Sequence, residues 1–320
     1  MYNPELKNKF ISQYTFAIDM RKVCMQLFNM TEGTESNLQS DLCTLSGKEL
    51  QPIIDNLMTV SGGGSRLKMT ILRSYFKWCA DEGYPGAIGD IRDVSISNHG
   101  RIKRSMVSSP LQLQKFLNMV YAEESLKTLD NCKRCVFWMA FGGLSVEDIC
   151  KVSTKDVILE DMIVSYNGKE YPIYREGMAS FKNCKRLTQF VVDKSYRPAI
   201  ASRSDGNCLV RGLRGDIDEN KIRLWISAAS RKAREISGSD IKITHYSIWL
   251  SGLFYRMYEA EQYGGEVNFL NAAIEKMGDR EYKYSENIKQ SKQAMDKGRR
   301  NHYAKEYLND YYNWKDAFGL

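Results

Sequence analysis

The sequence predicts a mainly α-helical protein with a small antiparallel β-sheet, and three observations carry that expectation. Apolar residues recur at helical spacing through residues 10 to 94. Between Val157 and Tyr174 the period changes to strand-like alternation around Asn167-Gly168, a pair that favours a tight hairpin turn. From Asp218 onward the helical period returns.

In the first region Tyr14, Ile18, Arg21, Lys22, Met25 and Phe28 repeat at helical spacing. Ser46 followed by Glu49 is a capping-box start, with Leu50, Ile53, Ile54 and Leu57 as the apolar stripe behind it. Ser61-Gly62-Gly63-Gly64-Ser65 reads as a flexible loop; no Gly-Lys-Ser/Thr follows it, which argues against a phosphate-cradling P-loop. Leu67, Ile71, Leu72, Tyr75, Phe76 and Cys79 form a further amphipathic helix that Gly83 stops. Residues 95–109 lack apolar periodicity and carry Arg101, Lys103 and Arg104 without an acid, the pattern of a linker.

A second domain begins at Pro110. Leu111, Leu113, Phe116, Leu117 and Val120 open a helix, and Cys135–Phe141 is apolar on all sides, as a core helix would be. Phe190-Val191-Val192 is a short strand. The helix from Asn220 buries Ile222, Trp225, Ile226 and Ala229, and turns Arg223, Arg231 and Arg234 to another face beside Lys221 and Lys232. The expected organisation is a helical domain over 1–97, a basic linker over 98–109 and a second domain over 110–320.

Composition narrows the function classes. No apolar run approaches the ~20 residues that span a bilayer, and MYNPELKNKF lacks the apolar core of an export signal, so a cytoplasmic location is expected. The eight cysteines form no framework. Cys132 and Cys135 make a lone C-x-x-C pair without further ligands nearby, so buried thiols are expected and neither metal nor cofactor. The net charge of +7 is unevenly spread: residues 1–97 carry a net −1 and residues 98–320 a net +8. A basic second half suits contact with phosphate.

Three segments resemble the tyrosine recombinase (phage integrase) family. Phe141-Gly142-Gly143-Leu144-Ser145-Val146-Glu147-Asp148-Ile149 fits the frame of its Gly-Leu-Arg motif, with Ser145 where the arginine belongs and Asp148 on the supporting acid. The segment from Cys208 to Ile248 has the family's order of turn, basic helix and H-x-x-R box, but the box reads His245-Tyr246-Ser247-Ile248. Ser180-Phe181-Lys182-Asn183-Cys184-Lys185-Arg186, before Phe190-Val191-Val192, resembles the hairpin that bears the catalytic lysine, on Lys182.

The resemblance implies a SAM-like core-binding domain followed by an integrase-like catalytic domain, closing as a clamp on duplex DNA. In that chemistry a tyrosine attacks a phosphodiester, two arginines hold the non-bridging oxygens, a lysine protonates the leaving oxygen, and a histidine orients the phosphate. Here the vestige would comprise Lys182, His245 and a tyrosine. Tyr311, nine residues beyond His302, is one candidate; a second register reads Met277-Gly278-Asp279 as the preceding turn, with Tyr282 and Tyr284 following too soon. DNA contacts are expected from Arg101, Lys103, Arg104, Lys185, Arg186, Arg223, Arg231, Lys232 and Arg234. The resemblance also implies self-association through the C-terminal helix.

With both arginine positions replaced, the expected protein binds duplex DNA, cleaves it poorly, and serves a phage or mobile element as regulator or accessory. Two other readings stay open. Retained Lys182 and His245 fit an active recombinase with relocated groups, and the neutral first domain fits a protein-interaction module that has lost DNA.

Overall fold

The computed structural model describes every residue except 14–17, 61, 95–96, 122–128, 193–198, 203–206, 213–214, 266–267 and 278–291. Its helices, in chain order, begin with α1 (Pro4–Gln13), α2 (Ile18–Leu38), α3 (Gly47–Leu57), α4 (Gly62–Asp81) and α5 (His99–Ser105). Next come α6 (Pro110–Val120), α7 (Asp130–Gly142), α8 (Val146–Ile149) and α9 (Met178–Arg186). Last come α10 (Glu219–Ser237), α11 (His245–Gln262), α12 (Phe269–Met277) and α13 (Lys292–Phe318). The strands are β1 (Val157–Ile158), β2 (Ile163–Tyr166), β3 (Lys169–Pro172), β4 (Gln189–Val192), β5 (Ala199–Ser202), β6 (Arg211–Gly212) and β7 (Gly215–Asp216). The chain is thus mostly helical with little sheet, as its periodicity predicts.

Two compact units divide it: Met1–Ile102 with His302–Leu320, and Lys103–Asn301. This differs from the sequence division. Residues 99–105 are helical rather than an irregular linker, and Ile102 and Met106 are buried. The segment from His302 groups with the first unit, through contacts some 250 positions apart that local periodicity cannot report.

In the first unit α2 buries Cys24, Leu27, Phe28, Thr31 and Glu35, while Met25 is exposed. Tyr14 lies outside the described residues. Lys7 and Glu35 are both fully buried and paired at 2.6 Å, with Asp41 3.8 Å from the Lys7 ammonium. Burial pushes the Glu35 carboxyl up, and the Lys7 charge and hydrogen bonds oppose that shift. The capping box of α3 forms as its sequence predicts: the Glu49 carboxylate accepts from the Ser46 backbone N–H at 2.8 Å and from its hydroxyl at 2.7 Å.

The glycine run is not a loop. Gly62, Gly63 and Gly64 form the first turn of α4. The Gly62 N–H donates to the Asp310 carboxylate at 2.7 Å, and a Cβ on Gly64 would come within 2.7 Å of the Thr59 hydroxyl oxygen. Close approach, rather than flexibility, accounts for Gly62 and Gly64. Gly83, at φ 69°, ends the helix as expected.

In the second unit Ser109 caps α6 with Pro110 in its first turn, and α7 is buried on every side from Cys135 to Gly142. Arg134 reaches from α7 to the end of α6, donating to the Leu117 carbonyl and the Asn118 side chain. Strands β1, β2 and β3 form one antiparallel sheet, with Val164 opposite Val157 and Tyr171. Asn167 and Gly168 both take positive φ (50° and 71°), the requirement of a type I′ turn. β4 pairs with β5, and β6 with β7, as separate antiparallel ribbons. Among the described residues no helix is long and apolar enough to cross a membrane.

Candidate nucleic-acid interface

The C-terminus of α7 leaves a run of backbone carbonyls that need donors. One face of α11 supplies them. His245 Nε2 donates to the Leu144 carbonyl at 3.1 Å, and Trp249 Nε1 to Gly143 at 2.9 Å. The Arg256 guanidinium donates to Gly142 at 3.1 Å and to Phe141 at 3.0 Å. Four consecutive carbonyls are therefore met by positions 245, 249 and 256, with Gly252 completing the same helical column. That glycine lets the two backbones touch: a Cβ there would sit 2.6 Å from the Phe141 carbonyl carbon.

This arrangement sets the chemistry of His245. A carbonyl only accepts, so Nε2 carries a proton, and a lowered pKa leaves the imidazole neutral near pH 7. Burial lowers its pKa to about 4; the bond to Leu144 opposes the shift and the nearby Arg223 charge adds to it. Because the folded value lies below the unfolded one, the contribution is complete above about pH 6.5 and is lost as pH falls toward 4. The second unit is expected to lose roughly 2–3 kcal/mol across that window. Denaturant unfolding of the chain and of His245→Gln at pH 7 and pH 4.5 checks this. The variant should show a flatter pH dependence, and an unchanged one would refute it.

Ser145 caps α8. Its oxygen accepts from the Asp148 N–H at 3.0 Å, and its hydroxyl donates to the Asp148 carboxylate at 2.6 Å. Ile248 is 1% exposed and belongs to the core of the second unit. The two positions where the resemblance places arginines thus hold a helix cap and a core side chain.

Lys182 does not lie on a hairpin. It is an exposed residue of α9, since residues 178–186 are helical and bury Ser180, Phe181 and Cys184 on one side. The period of 180, 181 and 184 was the signal available in the sequence. The hairpin at Asn167-Gly168 is β2–β3, and the exposed Lys169 follows its turn. Lys182, Lys185 and Arg186 line an open recess with Leu159, Glu160 and Met178. Lys185 also donates to the Val157 carbonyl at 2.8 Å.

On α10, Arg223, Arg231, Lys232 and Arg234 are all exposed, as are the small Ser227 and Ala228 between them. Two of these cations have intramolecular bonds. Arg223 pairs with Glu219 at 2.6 Å, and Lys232 donates to the Val120 carbonyl at 2.6 Å, closing the end of α6. Arg101, Lys103 and Arg104 lie on α5; Lys103 is exposed and Arg104 approaches Asp240 at 4.0 Å.

Tyr311 is 1% exposed and stacks on Trp314 within the segment that belongs to the first unit, whereas Lys182 and His245 belong to the second. Burial fits the apolar face of a closing helix. The other tyrosine register, at Gly278, Asp279, Tyr282 and Tyr284, lies outside the described residues. Cys132 and Cys135 are buried, and among the described residues no group of three or more side chains could hold a metal.

Residues 1–81 match the family described as MrpR, N-terminal core-binding domain, and the match ends where α4 ends. Among the solved structures similar to this chain are the following two. One is the XerA recombinase, at 14% identity and TM-score 0.40, covering 93% of this chain and 98% of the other. The second is the Tn1549 transposon integrase with a circular intermediate DNA, at 11% identity and TM-score 0.37, covering 92% and 98%. No curated protein matches. Residues 1–81 contribute little net charge, and the cations discussed above lie beyond them.

Proposed function

We propose that this chain is a duplex-DNA-binding protein of the tyrosine recombinase type whose strand-cleaving chemistry is impaired, serving a phage or mobile element as regulator or accessory. One observation carries the reading: the groups that should face a phosphate are bonded elsewhere. Ser145 caps α8, Ile248 fills the core, Arg256 donates to the last carbonyls of α7, and His245 donates to the Leu144 carbonyl just beyond them. Arg256 therefore does not stand in for a missing arginine. Loss of a preorganised donor lowers such rates by about 10²–10³, and two are replaced here.

DNA binding needs no such precision. The exposed arginines of α10 flank the small Ser227 and Ala228, which allow a phosphate backbone close approach. Lys103, Lys169, Lys182 and Arg186 are further exposed cations of the second unit. Arg101 and Arg104 on α5 and the carbonyl-bound Lys185 are weaker contributors in this reading.

The test pairs two assays. Fluorescence anisotropy with sheared genomic duplex should give affinity that falls steeply between about 50 and 200 mM salt. A nicked suicide substrate should give no covalent tyrosine adduct. An adduct would overturn the impairment, and absence of binding at low salt would overturn the DNA reading. Arg234→Ala should lower affinity for all sequences alike and flatten the salt slope by about one. An unchanged slope would remove Arg234 from the interface.

A further inference from the structure

The second unit contains a thiol pair that the DNA reading does not use. The Cys132 and Cys184 sulfurs lie 3.2 Å apart, and both residues are fully buried. Cys132 is on α7 and Cys184 on α9, two helices packed closely together, and the residues are 52 positions apart in sequence. Two sulfurs in ordinary contact stand farther apart than this, so core packing has brought the pair part of the way to a bond of ~2.05 Å. The Cys184 thiol also reaches the Leu209 carbonyl at 3.3 Å, which fixes its position from a third side.

We propose that Cys132 and Cys184 are a peroxide-oxidisable pair that closes into an intramolecular disulfide joining α7 to α9. One thiolate attacks a peroxide oxygen, the O–O bond breaks, and a sulfenic acid and water result. The second thiolate then attacks the sulfenic sulfur, and its hydroxyl leaves as water after taking a proton. In sum two thiols lose two electrons and two protons, and hydrogen peroxide becomes two waters. The bond would hold α9, with Lys182 and Arg186 on its outer side, rigidly to the central helix.

Half-exposed Cys150 and Cys208 provide an internal measure of oxidant access. The full chain is treated with hydrogen peroxide, thiols are blocked, and peptides are mapped by mass spectrometry without reduction. The expected product is a Cys132–Cys184 linked peptide, two hydrogens lighter than its parts and released by dithiothreitol, with a higher Tm for the oxidised protein. Cys150→Ser should keep the link and Cys184→Ser should abolish it. Because the decisive product is read in the wild-type chain, a variant that fails to fold leaves the test intact. The proposal is overturned if Cys132 and Cys184 stay reduced once Cys150 and Cys208 are fully oxidised, or if Cys132 links to Cys135 instead.

Discussion

Gly252→Ala is expected to cost more than about 4 kcal/mol, or to prevent the second unit from folding, because its Cβ overlaps the Phe141 carbonyl outright. Ordinary overpacking is relieved when a side chain changes rotamer. Here the obstacle is backbone at the end of α7, already fixed by Arg256 at Phe141 and Gly142 and by Trp249 at Gly143. Moving α11 outward would break those three bonds and the one from His245 together. Denaturant unfolding gives the measurement, with Gly83→Ala as comparison: that residue, at φ 69°, has nothing within 4 Å of its Cβ position and carries only a conformational penalty of roughly 1 kcal/mol. A Gly252→Ala protein within 1 kcal/mol of wild type would show that the two helices are not in backbone contact.

Ile248→Arg is the second large effect. A reader of the H-x-x-R frame would make this change to restore activity. The position is 1% exposed and lies within the core, so the new guanidinium must either stay unpaired in apolar surroundings or push α11 aside. The expected cost is about 4 kcal/mol, with no gain in covalent DNA adduct. Ile248→Leu, which keeps volume and polarity, should cost under about 1.5 kcal/mol. Thermal melts of the two variants, followed by the nicked-substrate assay on any folded Ile248→Arg protein, decide it. A stable variant that forms an adduct would mean that the site retains the room and the partners for catalysis.

Much of this was legible because it is local. The Ser46 capping box and the Asn167-Gly168 turn depend on residues three or fewer positions apart, and each forms as its sequence implies. The hydrophobic period likewise placed α6, α7, α10 and α11. What differed was the local structure inferred from one short motif. Lys182 matched a hairpin motif while its neighbours carried a helical period, and the period was the better guide. His245 occupied the expected box, but its partner is a carbonyl 101 positions away. A clue to that partner was present in the heptad-like spacing of His245, Trp249, Gly252 and Arg256, which marks one helix face pressed against another backbone. Long-range partners such as Asp310 for Gly62 leave no local trace at all.

That last contact bears on how the molecule is made. Gly62 and Asp310 are separated by 248 positions, and the segment from His302 belongs to the same compact unit as the first four helices. At about 5–20 residues per second, roughly 10–50 s pass on the ribosome between synthesis of the two partners. Throughout that interval the opening turn of α4 lacks its carboxylate acceptor, so this unit reaches its final form only after the polypeptide between them has been made.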